Sequence, residues 1–137
     1  MLTIDDLKNV RRQRLRVISL QERIAALRSR AEYTARQLGE CGTDDATRDR
    51  LAEYVAELDD LEHHLTSEMI TLEHEVQSVD AALTALPENQ ETILRLRYCE
   101  GRSWRKVAEG AGYSVSHCRN VHSYFQKEST QKYIPSC

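Results

Sequence analysis

Residues 103–127 read SWRKVAEGAGYSVSHCRNVHSYFQK, and two short helices fit into them with a tight turn between. Ser103 is a candidate N-cap for a helix opening at Trp104, because a serine hydroxyl can accept from the unpaired amides of a first turn. Gly110 and Gly112 interrupt that helix, and Ser114 or Ser116 can cap the next, over Val115–Lys127. Such a helix-turn-helix makes packing demands that the stretch can be checked against. The first helix needs a small residue where the second crosses it, and Ala108 stands there. Four positions on, the turn needs a residue tolerant of positive φ, and Gly112 supplies it. Val107, Ala111, Tyr113, Cys118 and Val121 fall where apolar side chains would lock the pair, so all five are expected in the core.

Upstream, Pro87 fits the first turn of a helix over Glu88–Cys99, with Gly101 as its left-handed cap. Further back the period is that of long helices. Leu51, Val55, Leu58, Glu62, Leu65, Met69, Leu72, Val76, Val79, Leu83 and Leu86 recur at three- and four-residue steps. Only Glu62 breaks the seam, and Leu61 beside it can fill the gap. No Gly or Pro occurs between 43 and 86, so a helix of ~60 Å is expected. The first segment carries a matching seam of Val10, Gln13, Val17, Leu20, Ile24, Leu27, Ala31, Thr34 and Leu38, with two polar interruptions. Thr3 is its N-cap candidate, and Asp5 and Asp6 suit the positive end of the helix dipole. Gly39 and Gly42 bracket a break, with Thr43 or Asp44 as the next cap.

Charge supports the same division. Residues 1–38 carry nine Lys and Arg against four acids, residues 39–85 two against thirteen, and residues 86–137 eight against five. Two long helices of opposite charge joined by a short glycine-containing turn give an antiparallel hairpin, whether closed within one chain or exchanged between two. Each flanking Arg–Glu pair adds under ~1 kcal/mol. Leu15, Ile18, Leu61 and Ile70 lie off the single seam and form a second apolar stripe, which predicts a homodimer. The fold class is therefore all-α: a long antiparallel helical hairpin (coiled coil) over 1–85, serving as an oligomerisation arm, followed by a small helix-turn-helix domain over 86–137.

Composition narrows the function. The chain has 137 residues, is 30% charged and 6% aromatic, and holds 5 Gly and 2 Pro, too few for the turns of a sandwich or barrel. No apolar run is long enough to span a bilayer, and the N-terminal residues lack the pattern of a signal peptide. Cys41, Cys99, Cys118 and Cys137 are too far apart to make a zinc-ligand pair and read as reduced cytoplasmic thiols. His63, His64 and His74 lie on an acidic helix without a second ligand pair, so neither a metal nor another cofactor is expected. No phosphate-cradling glycine loop and no nucleophile–base pair is present, so an enzyme is not expected.

The window LPENQETILRLRYCEGRSWRKVAEGAGYSVSHCRNVHSYFQK, residues 86–127, resembles region 4 of sigma-70-type factors. It shares Leu-Pro opening a helix, Leu-x-x-Arg-Tyr before a glycine, a Val-Ala pair, and Gly-x-Ser before the last helix. Ser103-Trp104, Gly112-Tyr113-Ser114 and the step from Arg119 to His122 are closer still to the phage-encoded regulators of the ArpU/RinA-like group. In that group an N-terminal helical segment carries a stretch like Leu27-Arg28-Ser29-Arg30-Ala31. The resemblance covers about a third of the chain. It implies sequence-specific binding of double-stranded DNA and transcriptional regulation of phage or prophage genes in the cytoplasm of a bacterial host.

On that reading the helix over 115–127 enters the major groove. Ser114, Ser116, His117, Asn120 and Ser123 face it with Arg119 beside them. Asn pairs with adenine and Arg with guanine, so Asn120 and Arg119 are the base readers. Ser114 and Ser116 cap the helix or touch phosphate, and Arg102, Arg105 and Lys106 contact phosphate. Trp104 reads more simply as packing. Arg119 is the only arginine of the recognition helix, which favours binding as a dimer to two half-sites. The competing reading is an adaptor that docks on RNA polymerase or another regulator without strong DNA binding of its own. A packaging subunit is a third, but there the motif is expected before the coiled coil.

Overall fold

The structure is a computed structural model that describes residues 2–41 and 45–131. Five helices follow in order: α1 Ile4–Cys41, α2 Asp45–Thr84, α3 Glu88–Leu94 continued by a π-helical turn Arg95–Cys99, α4 Trp104–Ala111 and α5 Val115–Gln131. The architecture is all-α, and α1 and α2 pack against each other as a hairpin. The residues fall into two compact units, a hairpin unit of Arg16–Ile70 and a terminal unit of Met1–Leu15 with Thr71–Cys137. The boundary read from the sequence between 85 and 86 lies inside the terminal unit.

In the hairpin unit α1 presents its seam as expected, with Val17, Leu20, Ile24, Leu27, Ala31 and Thr34 buried. On α2 Leu61 fills the gap at Glu62 as expected, and the seam departs from the sequence reading at Tyr54, Val55 and Met69. Leu61 is buried with Leu20, Ile24 and Leu27, and Tyr54, Leu58 and Leu65 pack against them. Val55 and Met69 stand 56% and 47% exposed. The shift follows from Glu62. The row Tyr54–Leu58–Leu61–Leu65 keeps helical spacing and is apolar throughout, whereas the row through Glu62 would bury a carboxylate at a cost of several kcal/mol. Glu62 instead accepts from Arg28 Nη2 at 2.7 Å on the surface. Both partners are about half exposed, so the pair contributes under ~1 kcal/mol.

The start of α1 is a reciprocal cap. Thr3 Oγ1 accepts from the Asp6 amide at 3.2 Å, and Asp6 Oδ2 accepts from the Thr3 amide at 3.1 Å. Gly39 does not break α1, which runs on to Cys41. Gly42 and the candidate caps Thr43 and Asp44 lie outside the described residues.

The core of the terminal unit draws on every helix. Leu7 and Val10 of α1, Val79 and Leu83 of α2, and Ile93, Leu94, Val107, Cys118 and Phe125 are buried. Arg95 ties α2 to α3, donating to Asp80 Oδ1 at 2.8 Å, Thr84 Oγ1 at 3.1 Å and Glu91 Oε1 at 3.2 Å. Arg14 of α1 donates to the Cys99 carbonyl at 2.7 Å. The sequence reads 88–99 as one regular helix, but its last turn is a π turn in which the Glu100 amide donates to the Arg95 carbonyl at 3.0 Å. The apolar spacing accounts for it. Ile93 and Leu94 are followed five residues on by Tyr98 and Cys99, and all four are buried. An α-helix would turn the second pair away, whereas an i→i+5 turn returns it to the same face.

Gly39 lies within a helix, and a β-carbon built on it meets nothing within 4 Å. Gly39→Ala therefore raises stability by about 0.5–1 kcal/mol, through lost backbone freedom in the unfolded chain. A urea melt shows this as a higher midpoint with an unchanged slope.

Candidate nucleic-acid interface

The α4–α5 pair forms on local signals. Ser103 Oγ accepts from the Lys106 amide at 3.4 Å and opens α4. Gly112 closes it at φ 77°, with its amide on the Ala108 carbonyl at 3.0 Å. Ser114, rather than Ser116, caps α5, accepting from the His117 amide at 3.1 Å. Ile93, Val107, Ala108 and Cys118 make the buried contact between the helices, with Leu96, Trp104, Ala111 and Val121 packed around them. Two glycine and aromatic expectations are corrected. Gly110 lies inside α4 and does not interrupt it, and a β-carbon there would stand 3.1 Å from Leu96 Cδ1, so its bareness makes room for the π turn. Tyr113 is not core: placed just after the left-handed residue, it is 45% exposed, with its ring 4.6 Å from that of His117.

The nine residues singled out in the sequence, Arg102, Arg105, Lys106, Ser114, Ser116, His117, Arg119, Asn120 and Ser123, are all exposed. Ser116, Asn120, Ser123 and Lys127 follow at steps of four, three and four, so they line the outward face of α5. Cys118 and Phe125 mark the opposite, buried face. Arg119 and His117 flank the outward row. The Ser114 hydroxyl is engaged in its cap. Arg102, Arg105 and Lys106 already have acidic neighbours: Arg102 pairs with Glu100 at 3.0 Å, and Arg105 and Lys106 stand 3.7 and 3.5 Å from Glu109. Such exposed pairs open at little cost.

The structure adds Arg97 to the residues read from the sequence and gives Trp104 more than a packing role. Trp104 is half-buried and sits among cations, with the Arg97 guanidinium 4.7 Å and the Arg119 guanidinium 5.9 Å from its ring centroid. Arg97 also donates to the Arg102 carbonyl at 3.0 Å. Burial lowers the Arg97 pKa, and the charges of Arg11 and Arg119 lower it further. The Trp104 edge meets His122 at 5.1 Å, and His122 Nε2 shares a hydrogen bond with the Tyr98 hydroxyl. The signal for Arg97 was present in the Leu-x-x-Arg-Tyr stretch, but nothing local links it to Arg11 of α1.

Among the described residues no group of three or more His, Cys, Asp and Glu could hold a metal ion. Cys99 and Cys118 are free and buried, and burial pushes both thiols up, away from the reactive thiolate. No described helix is long and apolar enough to cross a membrane.

His122 gives the terminal unit a defined pH response. Burial lowers its pKa, and the nearby Arg97 and Lys8 charges lower it further. The unfolded chain therefore takes up this proton first as pH falls below about 6.5, and stability is lost until the folded-state value is reached. Above that range the residue is neutral in both states and has no effect. Urea unfolding of the wild type and of His122→Gln, compared at about pH 7.5 and 5.5, shows a smaller acid-side loss in the variant.

No curated protein and no solved structure matches the chain. A family model does, over residues 17–131, a span that takes in most of the hairpin and the whole of α3, α4 and α5. A match of that extent settles membership: the chain belongs to the family described as Protein of unknown function (DUF722).

Proposed function

We propose that this protein is a sequence-specific, double-stranded-DNA-binding transcriptional regulator of phage or prophage genes, acting in the cytoplasm of a bacterial host. The proposal includes the kinship to sigma-70 region 4-like regulators that residues 86–127 suggest. One observation carries it: α5 crosses α4 over a packed core while its outward row of Ser116, Asn120, Ser123 and Lys127 is polar and exposed. A helix held at its inner face, with short polar side chains outward, fits the width of a major groove. Asn120 and Arg119 then read bases, while Arg102, Arg105 and Lys106 hold phosphates once their surface pairs with Glu100 and Glu109 open. The hairpin serves as the oligomerisation arm, and the exposed Val55, Met69 and Ile70 supply the apolar surface for a second copy.

An adaptor docking on RNA polymerase is the second reading. The exposed Tyr113, Val115 and Tyr124 of the motif favour it, since a groove-entering surface has little use for them. Salt separates the two. Duplex affinity that falls steeply with ionic strength belongs to a DNA binder.

Selection of bound duplexes from a random library tests the reading by returning a motif with its symmetry. Asn120→Ala and Arg119→Ala shift the preferred sequence, each losing about 1–3 kcal/mol at one base position. Arg105→Ala weakens every sequence alike. Equal losses on selected and random duplex for all three refute the assignment of roles. For the arm, light scattering at micromolar concentration gives twice the 15.8 kDa chain mass, and Met69→Lys lowers it. A clean monomer in the wild type removes the dimer.

A further inference from the structure

Two sets stand out among the cations of the terminal unit. Arg95, Arg102, Arg105 and Lys106 each stand within 4.0 Å of a carboxylate. Arg11, Arg97 and Arg119 form no ion pair among the described residues, yet geometry gathers them: the Arg97 and Arg119 guanidinium groups stand 4.7 and 5.9 Å from the Trp104 ring centroid, and Arg11 lies one helical turn before Arg14, which donates to the Cys99 carbonyl two residues past Arg97. Burial disfavours the charged form of Arg97, and the charges of Arg11 and Arg119 add to that in the same direction. Arg97 is held in place by two contacts: its guanidinium rests over the Trp104 ring and donates to the Arg102 carbonyl. Arg11 is constrained as well: its Nε is shut off from solvent and has no hydrogen-bond partner, while the residue keeps partial exposure.

Three positive charges brought together without a counter-charge repel, and an orphaned guanidinium N–H carries a desolvation cost. An arriving anion removes both penalties, and the guanidinium fork matches phosphate oxygens. The aromatic plate beneath Arg97 fixes its direction beforehand, which lowers the ordering cost of binding.

We propose that Arg11 of α1 and Arg97 of the π turn, braced on Trp104, form a clamp for a DNA backbone phosphate beside α5, next to the groove-facing Arg119. This rests on the DNA-binding reading above and extends it: the long N-terminal helix is part of the nucleic-acid surface as well as of the arm. It also changes the ranking of phosphate contacts. Arg11 and Arg97 meet the duplex with their charge uncompensated, whereas Arg105 and Lys106 must first release Glu109.

The test is the salt dependence of binding to a fluorescently labelled, mixed-sequence short duplex, titrated from about 50 to about 200 mM salt. Loss of one phosphate contact lowers the log–log slope by about 0.9 and weakens binding about fivefold near 150 mM. Arg11→Gln and Arg97→Gln each show that loss, Arg11→Lys keeps the wild-type slope, and Arg28→Gln in the hairpin unit leaves it unchanged. Circular dichroism melts accompany each variant, and if Arg97→Gln unfolds, the Arg11→Gln and Arg11→Lys pair decides. A wild-type slope in Arg11→Gln, or an equal loss in Arg11→Lys, overturns the clamp while leaving DNA binding standing. A wild-type protein that binds no duplex at low salt overturns the DNA-binding reading and the clamp with it.

Discussion

The crossing of α4 and α5 depends on a backbone conformation that only glycine adopts without strain. Gly112 sits at φ 77° and ψ 24°, and from there the chain leaves α4, passes Tyr113 and enters the Ser114 cap. A residue with a β-carbon held there pays roughly 1–2 kcal/mol. The turn brings Cys118 against Val107 and Ala108, and that buried contact leaves the opposite face of α5 in water. The polar row of Ser116, Asn120 and Ser123 is thus a geometric consequence of one left-handed residue and one small residue. Any function assigned to the row inherits the same dependence.

Those parts were legible because their determinants are local. Ser103, Ala108, Gly112 and Ser114 lie within a dozen residues, and each has one dominant physical reason to be where it is. The heptad seam of α1 was equally plain. Glycine misled twice, at Gly39 and Gly110, because absence of a β-carbon is compatible with a helix interior when nothing or a neighbour's side chain takes the space. The seam of α2 holds at Leu58, Leu65, Leu72, Val79 and Leu83, with Leu61 filling the gap at Glu62, but not at Val55 and Met69, since a row through Glu62 and a row through Leu61 both keep helical spacing. Burial chooses between them: a carboxylate stays in water, and Tyr54 and Leu61 go in with the partner row. The π turn had a signature, apolar pairs five residues apart, but the helical period hides it.

The candidate site was legible only in part, for a reason of distance. The exposed positions of α5 follow from its buried ones, so Ser116, His117, Arg119, Asn120 and Ser123 fall on the surface as the wheel requires. Arg11 and Arg97, the proposed clamp, belong to one unit in which Arg14, a turn after Arg11, is anchored on the Cys99 carbonyl, two residues past Arg97. No local pattern announces such a meeting. Trp104 was read as a packing residue, and it does pack, but its ring is also the surface on which Arg97 is held. The strongly acidic stretch over 39–85 follows a different logic. One Arg28–Glu62 pair across the hairpin contributes little stability, so the apolar seam joins the helices and the excess carboxylates remain a solvated face. Under the proposed function, that face is repelled by a duplex and the cationic cluster is drawn to it.

The terminal unit also shows why sequence-level domain limits and folding units differ. A boundary before Leu86 is natural on periodicity, because the long helix ends there and short helices begin. Energetically it is a poor place to divide the chain. Leu83 and Leu7 are fully buried, and Val10 and Val79 nearly so, in the same unit as Ile93 and Cys118. Removing them strips four large apolar side chains from a small core, at about 1.5–3 kcal/mol for each fully buried one. It also leaves Arg95 without Asp80 and Thr84, and the Cys99 carbonyl without Arg14. A domain of some fifty residues is already close to the limit at which burial offsets chain entropy. The first turns of α1 and the last turns of α2 are therefore structural members of the helix-turn-helix unit.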